Sequence, residues 1–320
     1  MPRVGLFTRL EPQDVVAVAA RFGLADLTVE GIPYGTINSN YRGTTRGGRV
    51  FVRVNEGKSE DEVDHEATLV AHLAARGVRT PVPLPTADGA RWARFPFGIV
   101  SIFPWVDGAP RLEDVLGSDE TRALGALLAR LHLAGADFPR RHQGRYTYAT
   151  IVERLEAIPI DCCDPALESA LVTLHDEADW LTSRAAERAR LPVGVIHGDL
   201  FPDNVLWDDA GPIAIDFEQA SDGTLAYDLA VALLAWCWDK KTLDGARVAA
   251  LLDGYQGVRP LAPDERAGLY VEARAAAMRF TVTRIGDVYL SPDATPEVRR
   301  VKDFRAFLAR LEVLRRAGSI

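Results

Sequence analysis

Three side chains in one short stretch of this 320-residue chain could do chemistry together: Asp199, Asn204 and Asp216. An amide oxygen and a carboxylate side by side suit one hard divalent cation, which prefers oxygen ligands. A second carboxylate at the mouth of the same loop could orient a hydroxyl and take its proton. Val193 to Ile196 reads as an apolar strand running into His197-Gly198-Asp199-Leu200-Phe201-Pro202-Asp203-Asn204. Val205-Leu206-Trp207 reads as a strand, Asp208 to Pro212 as a turn, and Ile213 to Ile215 as the returning strand of a hairpin. With the turn centred on Ala210, Asn204 falls opposite Asp216, and directly opposed residues have Cβ atoms roughly 4.5–5.5 Å apart. Taken singly, Asp199 and Asp203 could cap a turn and Asp216 could end a strand. Four polar positions in this order, with apolar strands between them, are much harder to obtain by accident.

The spacing Asp-x-x-x-x-Asn followed by a metal-binding Asp is that of a kinase catalytic loop. On that pattern Asp199 takes the proton of the acceptor hydroxyl, and Asn204 and Asp216 hold Mg²⁺ on the phosphates of ATP.

The elements that would position these groups follow in chain order. Residues 11–22 read as a short helix; Leu27 to Ile32, Tyr41 to Thr45 and Arg49 to Val54 read as a meander of three strands. The loop before the second strand, Gly35-Thr36-Ile37-Asn38-Ser39-Asn40, could lie over phosphates or be an ordinary hairpin loop. Ser59-Glu60-Asp61-Glu62 is a capping box that starts a helix, and Gly77 ends it. Val63, Glu66, Val70 and Leu73 share one face, which sets Glu66 in an apolar stripe where a charge needs a partner. Arg53 on the third strand is one candidate, standing where kinases carry Lys, unless Glu66 sits on a solvated helix edge. After three prolines, a strand at Phe97 to Phe103 leads into Pro104-Trp105-Val106-Asp107-Gly108, where the sequence places a domain boundary: residues 1–103 and 104–320. In a kinase this is the hinge that meets adenine, which makes Phe103 and Trp105 candidates for that contact; Trp105 could instead be plain packing.

Beyond residue 110 helices dominate. They are expected at Ser118 to Leu133, Asp164-Pro165 to about Arg190, Ala226 to Trp238, Thr242 to Gln256, Pro263 to about Arg284, and Thr295-Pro296 to Arg316. The third is apolar nearly all round and therefore buried, yet contains Asp228. That carboxylate is expected to accept hydrogen bonds from the catalytic-loop backbone, beside His197.

With 48% hydrophobic residues the chain can bury one large core or two smaller ones. No apolar run reaches the roughly 18–20 residues of a membrane span, and Met1 to Gly5 lacks the apolar core of a signal peptide. Cys162, Cys163 and Cys237 show no metal spacing and read as free thiols, which fits the cytoplasm. A net charge of −8 argues against a nucleic-acid partner.

His197-Gly198-Asp199 through Asn204, with Asp216, resembles the aminoglycoside phosphotransferase and choline kinase superfamily. Asn38-Ser39-Asn40, Ala226-Tyr227-Asp228-Leu229, Ala235-Trp236-Cys237, Leu252 to Gln256 and Arg259-Pro260-Leu261 add a likeness to the type II homoserine kinases within it. The resemblance implies an α+β, protein-kinase-like fold of two lobes: a small N-terminal lobe with an antiparallel sheet, binding ATP, and a larger, mainly helical C-terminal lobe. It implies Asp199 as base, Asn204 and Asp216 as Mg²⁺ ligands, and transfer of the ATP γ-phosphoryl to a small-molecule hydroxyl, with homoserine, of the threonine pathway, as the acceptor. Two residues depart from the kinase pattern: Arg53 replaces Lys, and Glu218 stands where protein kinases have Gly after Asp-Phe.

An amino-acid acceptor needs an Arg for its carboxylate. Arg279 and Arg284, on a helix with Ala275, Ala276 and Met278, are the candidates, unless they form a solvated face. Residues 274–320 carry nine Arg, one Lys and five acids, net +5, which counts mildly against polycationic aminoglycosides. A choline site would want aromatics around the cation, for which Trp236, Trp238 and Tyr289 are available. A nucleotide-binding pseudokinase is the alternative of another class, supported by Arg53 alone.

Overall fold

The computed structural model describes residues 8–33, 38–111, 116–159 and 164–320. Helix α1 (Pro12–Phe22) precedes strands β1 (Thr28–Gly31), β2 (Ser39–Thr45) and β3 (Gly48–Asn55), helix α2 (Glu60–Ala75), and strands β4 (Ala93–Phe95) and β5 (Gly98–Pro104). Helices α3 (Ser118–Ala134), α4 (Tyr148–Glu156), α5 (Pro165–Ser183) and α6 (Ala185–Arg188) follow. Then come β6 (Val193–Ile196), a 3₁₀ turn (Pro202–Asn204), β7 (Val205–Asp208), β8 (Gly211–Ala214) and β9 (Ser221–Thr224). The chain continues through α7 (Leu225–Trp236), the short β10 (Trp238–Asp239) and β11 (Thr242–Leu243), α8 (Gly245–Gln256), α9 (Pro263–Arg284), a π turn (Ile285–Tyr289), α10 (Pro296–Val301) and α11 (Arg305–Ala317).

These elements pack as two units. The first comprises Met1–Ala109, Phe138–Arg140 and Leu206–Glu218; the second comprises the remainder. The boundary expected from sequence lies at 103/104. The division falls after Ala109 because Ala109 and Trp207 exchange backbone hydrogen bonds of 3.1 and 2.9 Å, which tie the β7–β8 hairpin to the first unit.

The first unit is built on an antiparallel sheet in the order β1-β2-β3-β5-β4. Alternation along β3 sends Val50, Val52 and Val54 into a core with Val18, Phe22, Tyr41 and Ile102. Helix α2 begins as its capping box requires: Ser59 accepts the Glu62 N–H, and Glu62 accepts the Ser59 N–H. Its buried face includes Val63, Glu66, Val70 and Leu73. The loop expected over residues 35–40 is shorter than that. Ser39 and Asn40 begin β2, in register with Val54 and Arg53, so these two are strand residues rather than a phosphate-covering loop. Gly35, Cys162 and Cys163 lie outside the described residues.

In the second unit α9 packs against both α7 and α11, and α3 packs along α8. Three expected helices are shorter than the pattern implied. The α5 helix ends at Ser183, a two-strand hairpin occupies the start of the segment expected at 242, and the C-terminal helix is split between α10 and α11. Glycine sets the closeness of α3 and α8. A Cβ at Gly125 would stand 2.1 Å from the Leu251 carbonyl oxygen, and one at Gly254 would stand 1.9 Å from that of Arg122. Among the described residues no helix is long and apolar enough to cross a membrane. Gly254→Ala must push the helices apart and is expected to lower stability by about 1–3 kcal/mol, the usual cost of overpacking; urea unfolding measures it.

Candidate active site

In the first unit Arg53, Glu66 and Asp216 meet in one charged cluster. Arg53 Nη2 donates to Glu66 Oε2 at 2.6 Å, with both side chains buried, so the carboxylate in the apolar stripe of α2 has the partner expected for it. Arg53 Nη1 lies 3.5 Å from Asp216 Oδ1. Burial opposes the Arg53 charge, but Glu66 and then Asp216 outweigh it and raise its pKa. The guanidinium also lies over the Phe103 ring, 5.0 Å from its centroid, which holds Phe103 in the cluster's wall.

One participant, Lys58, was not singled out from sequence. Lys58 Nζ donates to Glu218 at 2.8 Å and sits 3.7 Å from Glu66. Asn38 Nδ2 also donates to Glu218, at 2.8 Å, and Asn38 Oδ1 accepts the Glu56 N–H. Three acids thus face two cations. Burial and Glu218 push the Asp216 carboxyl up to about 7, while Arg53 pulls the other way. Asp216 has φ of +63°, a left-handed backbone uncommon outside glycine and the kind of strain that gathers at functional sites. Both facts fit a place kept for a cation. Among the described residues no three His, Cys, Asp or Glu side chains gather into a self-contained metal site. An ion that borrows phosphate oxygens needs only one or two protein ligands.

Ser39 accepts the Thr8 N–H and donates to Glu56, so its side chain is already engaged; Asn40 is a strand residue opposite Arg53, and its Oδ1 has no partner among the described residues. The Trp105 backbone N–H donates to the Arg49 carbonyl, and the Arg42 and Arg49 guanidiniums lie over its ring at 5.2 and 5.4 Å. Its side chain is anchored to the sheet by these contacts. The Phe138–Arg140 segment braces α2. Arg140 bonds Asp64 at 2.6 Å and Asp61 at 2.9 Å, and the Phe138 ring meets His65 and His72 edge-on.

In the second unit the loop after β6 is held from below. Asp228, fully buried on α7, accepts the His197 N–H at 2.7 Å and the Gly198 N–H at 2.8 Å, as expected of it. The third contact of this carboxylate, His132 Nε2 at 3.0 Å, was not anticipated. An acid that serves only as acceptor requires Nε2 to carry the proton. Nδ1 is then the acceptor for the Tyr255 hydroxyl at 2.7 Å, and that oxygen in turn accepts from Arg259 Nη1 at 3.2 Å. Burial works against the Asp228 charge, but the His132 bond and the loop N–H groups outweigh it and hold the carboxyl below its ordinary range. Trp236 Nε1 adds a bond to the Leu200 carbonyl at 2.8 Å. Gly198 sits at φ +74°, with the Gln219 carbonyl 3.1 Å from where a Cβ would stand.

This frame presents Asp199 and Asn204. Asn204 Nδ2 donates to the Asp199 carbonyl at 2.8 Å, which leaves its Oδ1 for another partner. Beside them lies a cavity of about 220 Å³. Its walls include Tyr146, Tyr148, Gly198, Tyr227, Glu272 and Arg279. Arg279 is buried, not a solvated face; its Nη1 lies 3.4 Å from Asp199 Oδ1, and its guanidinium is flanked by the Tyr146 and Phe280 rings at 4.3 and 3.8 Å. Arg284 is not among the lining residues. It donates to the Asp303 carbonyl at 3.1 Å and lies over Phe307, and burial pushes its pKa down to about 10.

A carboxylate on a braced loop in one unit and, in the other, an acid short of positive charge are groups of the kind that a phosphotransferase acting on an alcohol with ATP as donor employs. Residues 28–261 match the phosphotransferase enzyme family, and the chain belongs to that family. It is 34% identical over 299 residues to a homoserine kinase of Burkholderia cenocepacia, covering 90% of this chain and 89% of that one. It is also 34% identical over 302 residues to a homoserine kinase of Rhizobium etli, covering 92% and 90%. The fold is kinase-like. An amicoumacin kinase in complex with AMP-PNP and Ca²⁺ superimposes with a TM-score of 0.73 at 18% identity, over 94% of each chain. A spectinomycin phosphotransferase in complex with ADP and spectinomycin gives 0.68 at 13% identity, over 98% of this chain and 100% of that one.

Asp228→Ala removes the acceptor for two buried loop N–H groups and for His132. It is expected to destabilise the protein by about 3–5 kcal/mol, the cost of breaking a buried pair, as read by chemical denaturation.

Proposed function

We propose that the chain phosphorylates L-homoserine to O-phospho-L-homoserine in threonine biosynthesis. The observation that carries this reading is the identity to homoserine kinases along nine-tenths of the chain. The cavity beside Asp199 supports it. Arg188 and Glu272 offset one another at 2.7 Å and Asp222 is matched by Arg141 at 2.8 Å, while Arg279 retains cationic capacity that suits a carboxylate. About 220 Å³ suits a short acceptor better than a multi-ring aminoglycoside.

Choline is disfavoured. Tyr146 and Tyr148 already carry arginine guanidiniums on their faces, as do Trp238 and Tyr289, and Trp236 is wholly buried. The pseudokinase alternative loses its support too, since Arg53 makes the strand-to-helix ion pair expected of a Lys there.

On this reading the first unit binds the nucleotide and the second binds the acceptor. Asn204 and Asp216 would hold Mg²⁺, which would neutralise charge on the ATP phosphates. Arg53, kept in place by Glu66, faces the phosphates, with the segment of Gly35, Asn38, Ser39 and Asn40 near them through its backbone. The chain at Phe103 and Trp105 meets adenine. The acceptor hydroxyl oxygen attacks the γ-phosphorus as the bond to the β–γ bridging oxygen breaks. The hydroxyl proton passes to Asp199, and ADP leaves with the bridging oxygen. His197 and Asp228 support the loop. Arg279 clamps the acceptor carboxylate, with Arg284 adding positive charge nearby. The setting is cytoplasmic, without a nucleic-acid or membrane partner.

Coupled ADP release should be measured with homoserine, choline and kanamycin. Homoserine is expected to give the highest kcat/KM, and preference for another acceptor would overturn the reading. Asp199→Asn is expected to lower kcat at least about 100-fold, at the low end for general base loss, while ATP binding survives in a calorimetric titration.

A further inference from the structure

The polar groups that line the cavity in the second unit divide into two kinds. Most are already matched within the protein. Arg188 Nε donates to Glu272 Oε1 at 2.7 Å, Thr224 donates to Glu272 Oε2 at 3.1 Å, and the Asp222 carboxylate accepts from Arg141 and from the His142 N–H, both at 2.8 Å. The Tyr148 hydroxyl donates to the Ala178 carbonyl at 2.6 Å.

Two residues stand apart. Arg279 makes a single hydrogen bond among the described residues, the 3.4 Å contact to Asp199, although a guanidinium has five N–H donors. Its Nε has no partner there. The Tyr227 hydroxyl, on a half-buried side chain, makes no hydrogen bond among the described residues and opens onto the cavity. The two line the same cavity, and Tyr227 feels the charges of Arg279, Glu272 and Asp199.

We propose that the Tyr227 hydroxyl, together with Arg279, donates to the carboxylate of the acceptor and so makes Tyr227 a specificity-determining residue for amino-acid over amino-alcohol substrates. The inference rests on the amino-acid reading given above and deepens it. Burial pushes the phenol up to about 12, so at neutral pH it is protonated and offers a donor. The acids of the cavity are already matched, so its unspent capacity is for an anion rather than a cation. Arg279 also touches Asp199, which puts the anion site a few bonds' length from the phosphorylated oxygen and suits a short hydroxy acid.

The test compares homoserine with propanolamine, which keeps the hydroxyl and amine but lacks the carboxylate. The readout is the ratio of kcat/KM for the two, in the wild type and in Tyr227→Phe. A hydrogen bond to a charged group is at stake, so the ratio is expected to fall about tenfold or more in the variant. A general loss of packing would lower both terms and leave the ratio alone. Calorimetric binding of both compounds to the nucleotide-loaded protein supplies the same ratio if turnover is weak. A wild type that prefers homoserine, with an unchanged ratio in Tyr227→Phe, overturns the role of Tyr227. A wild type that uses both equally overturns the amino-acid reading, and this inference with it.

Discussion

An unpaired carboxylate in the interior of α7 would cost several kcal/mol or shed its charge. Asp228 keeps its charge because three donors converge on it: two N–H groups of the loop after β6 and the His132 ring. The dependence runs both ways. The loop N–H groups lie where water is excluded and need an acceptor, and the acid needs donors. The arrangement of Asp199 and Asn204 therefore follows from charge and desolvation deep in the fold. The chain Arg259–Tyr255–His132–Asp228 carries that constraint out to α8, and the glycine contacts between α3 and α8 bring its members within bonding distance.

The first unit uses the same logic with an added twist. Glu66 is satisfied by Arg53, Glu218 by Lys58 and Asn38, and Asp216 is left with one long contact. The cluster is short of positive charge at the residue whose backbone is strained. Unequal pairing of this kind recurs where a functional site tunes its charges.

What was legible in the sequence was local. The β6-loop-β7-β8 pattern, the capping box of α2 and the apolar faces of α2 and α7 all follow from periodicity and turn chemistry. The charge in each apolar face then demanded a partner, and the Glu66–Arg53 pair and the Asp228 bonds to the loop answered that demand. What escaped was pairing across long separations. Lys58 with Glu218 and His132 with Tyr255 join residues 160 and 123 positions apart, and no local pattern announces either. Glu218 did stand out as a departure from the kinase pattern, and His132 lies one residue after Leu131 of the buried α3 stripe; each was a signal without an address. The break after α5 and the split between α10 and α11 come without a Gly or Pro at the break, so periodicity ran through them.

The first unit is assembled from three separated stretches of chain, the last of them Leu206–Glu218. Synthesis is vectorial, and domains ordinarily fold as they emerge from the ribosome. Here the sheet and α2 leave the exit tunnel long before the acids that meet Lys58 and Arg53 have been translated. Until then Glu66 is the one acid of the cluster available to Lys58 and Arg53. The amino-terminal part of a nascent chain therefore waits in an electrostatically incomplete state, and its completion is timed by the translation of a hairpin about two-thirds of the way along the message.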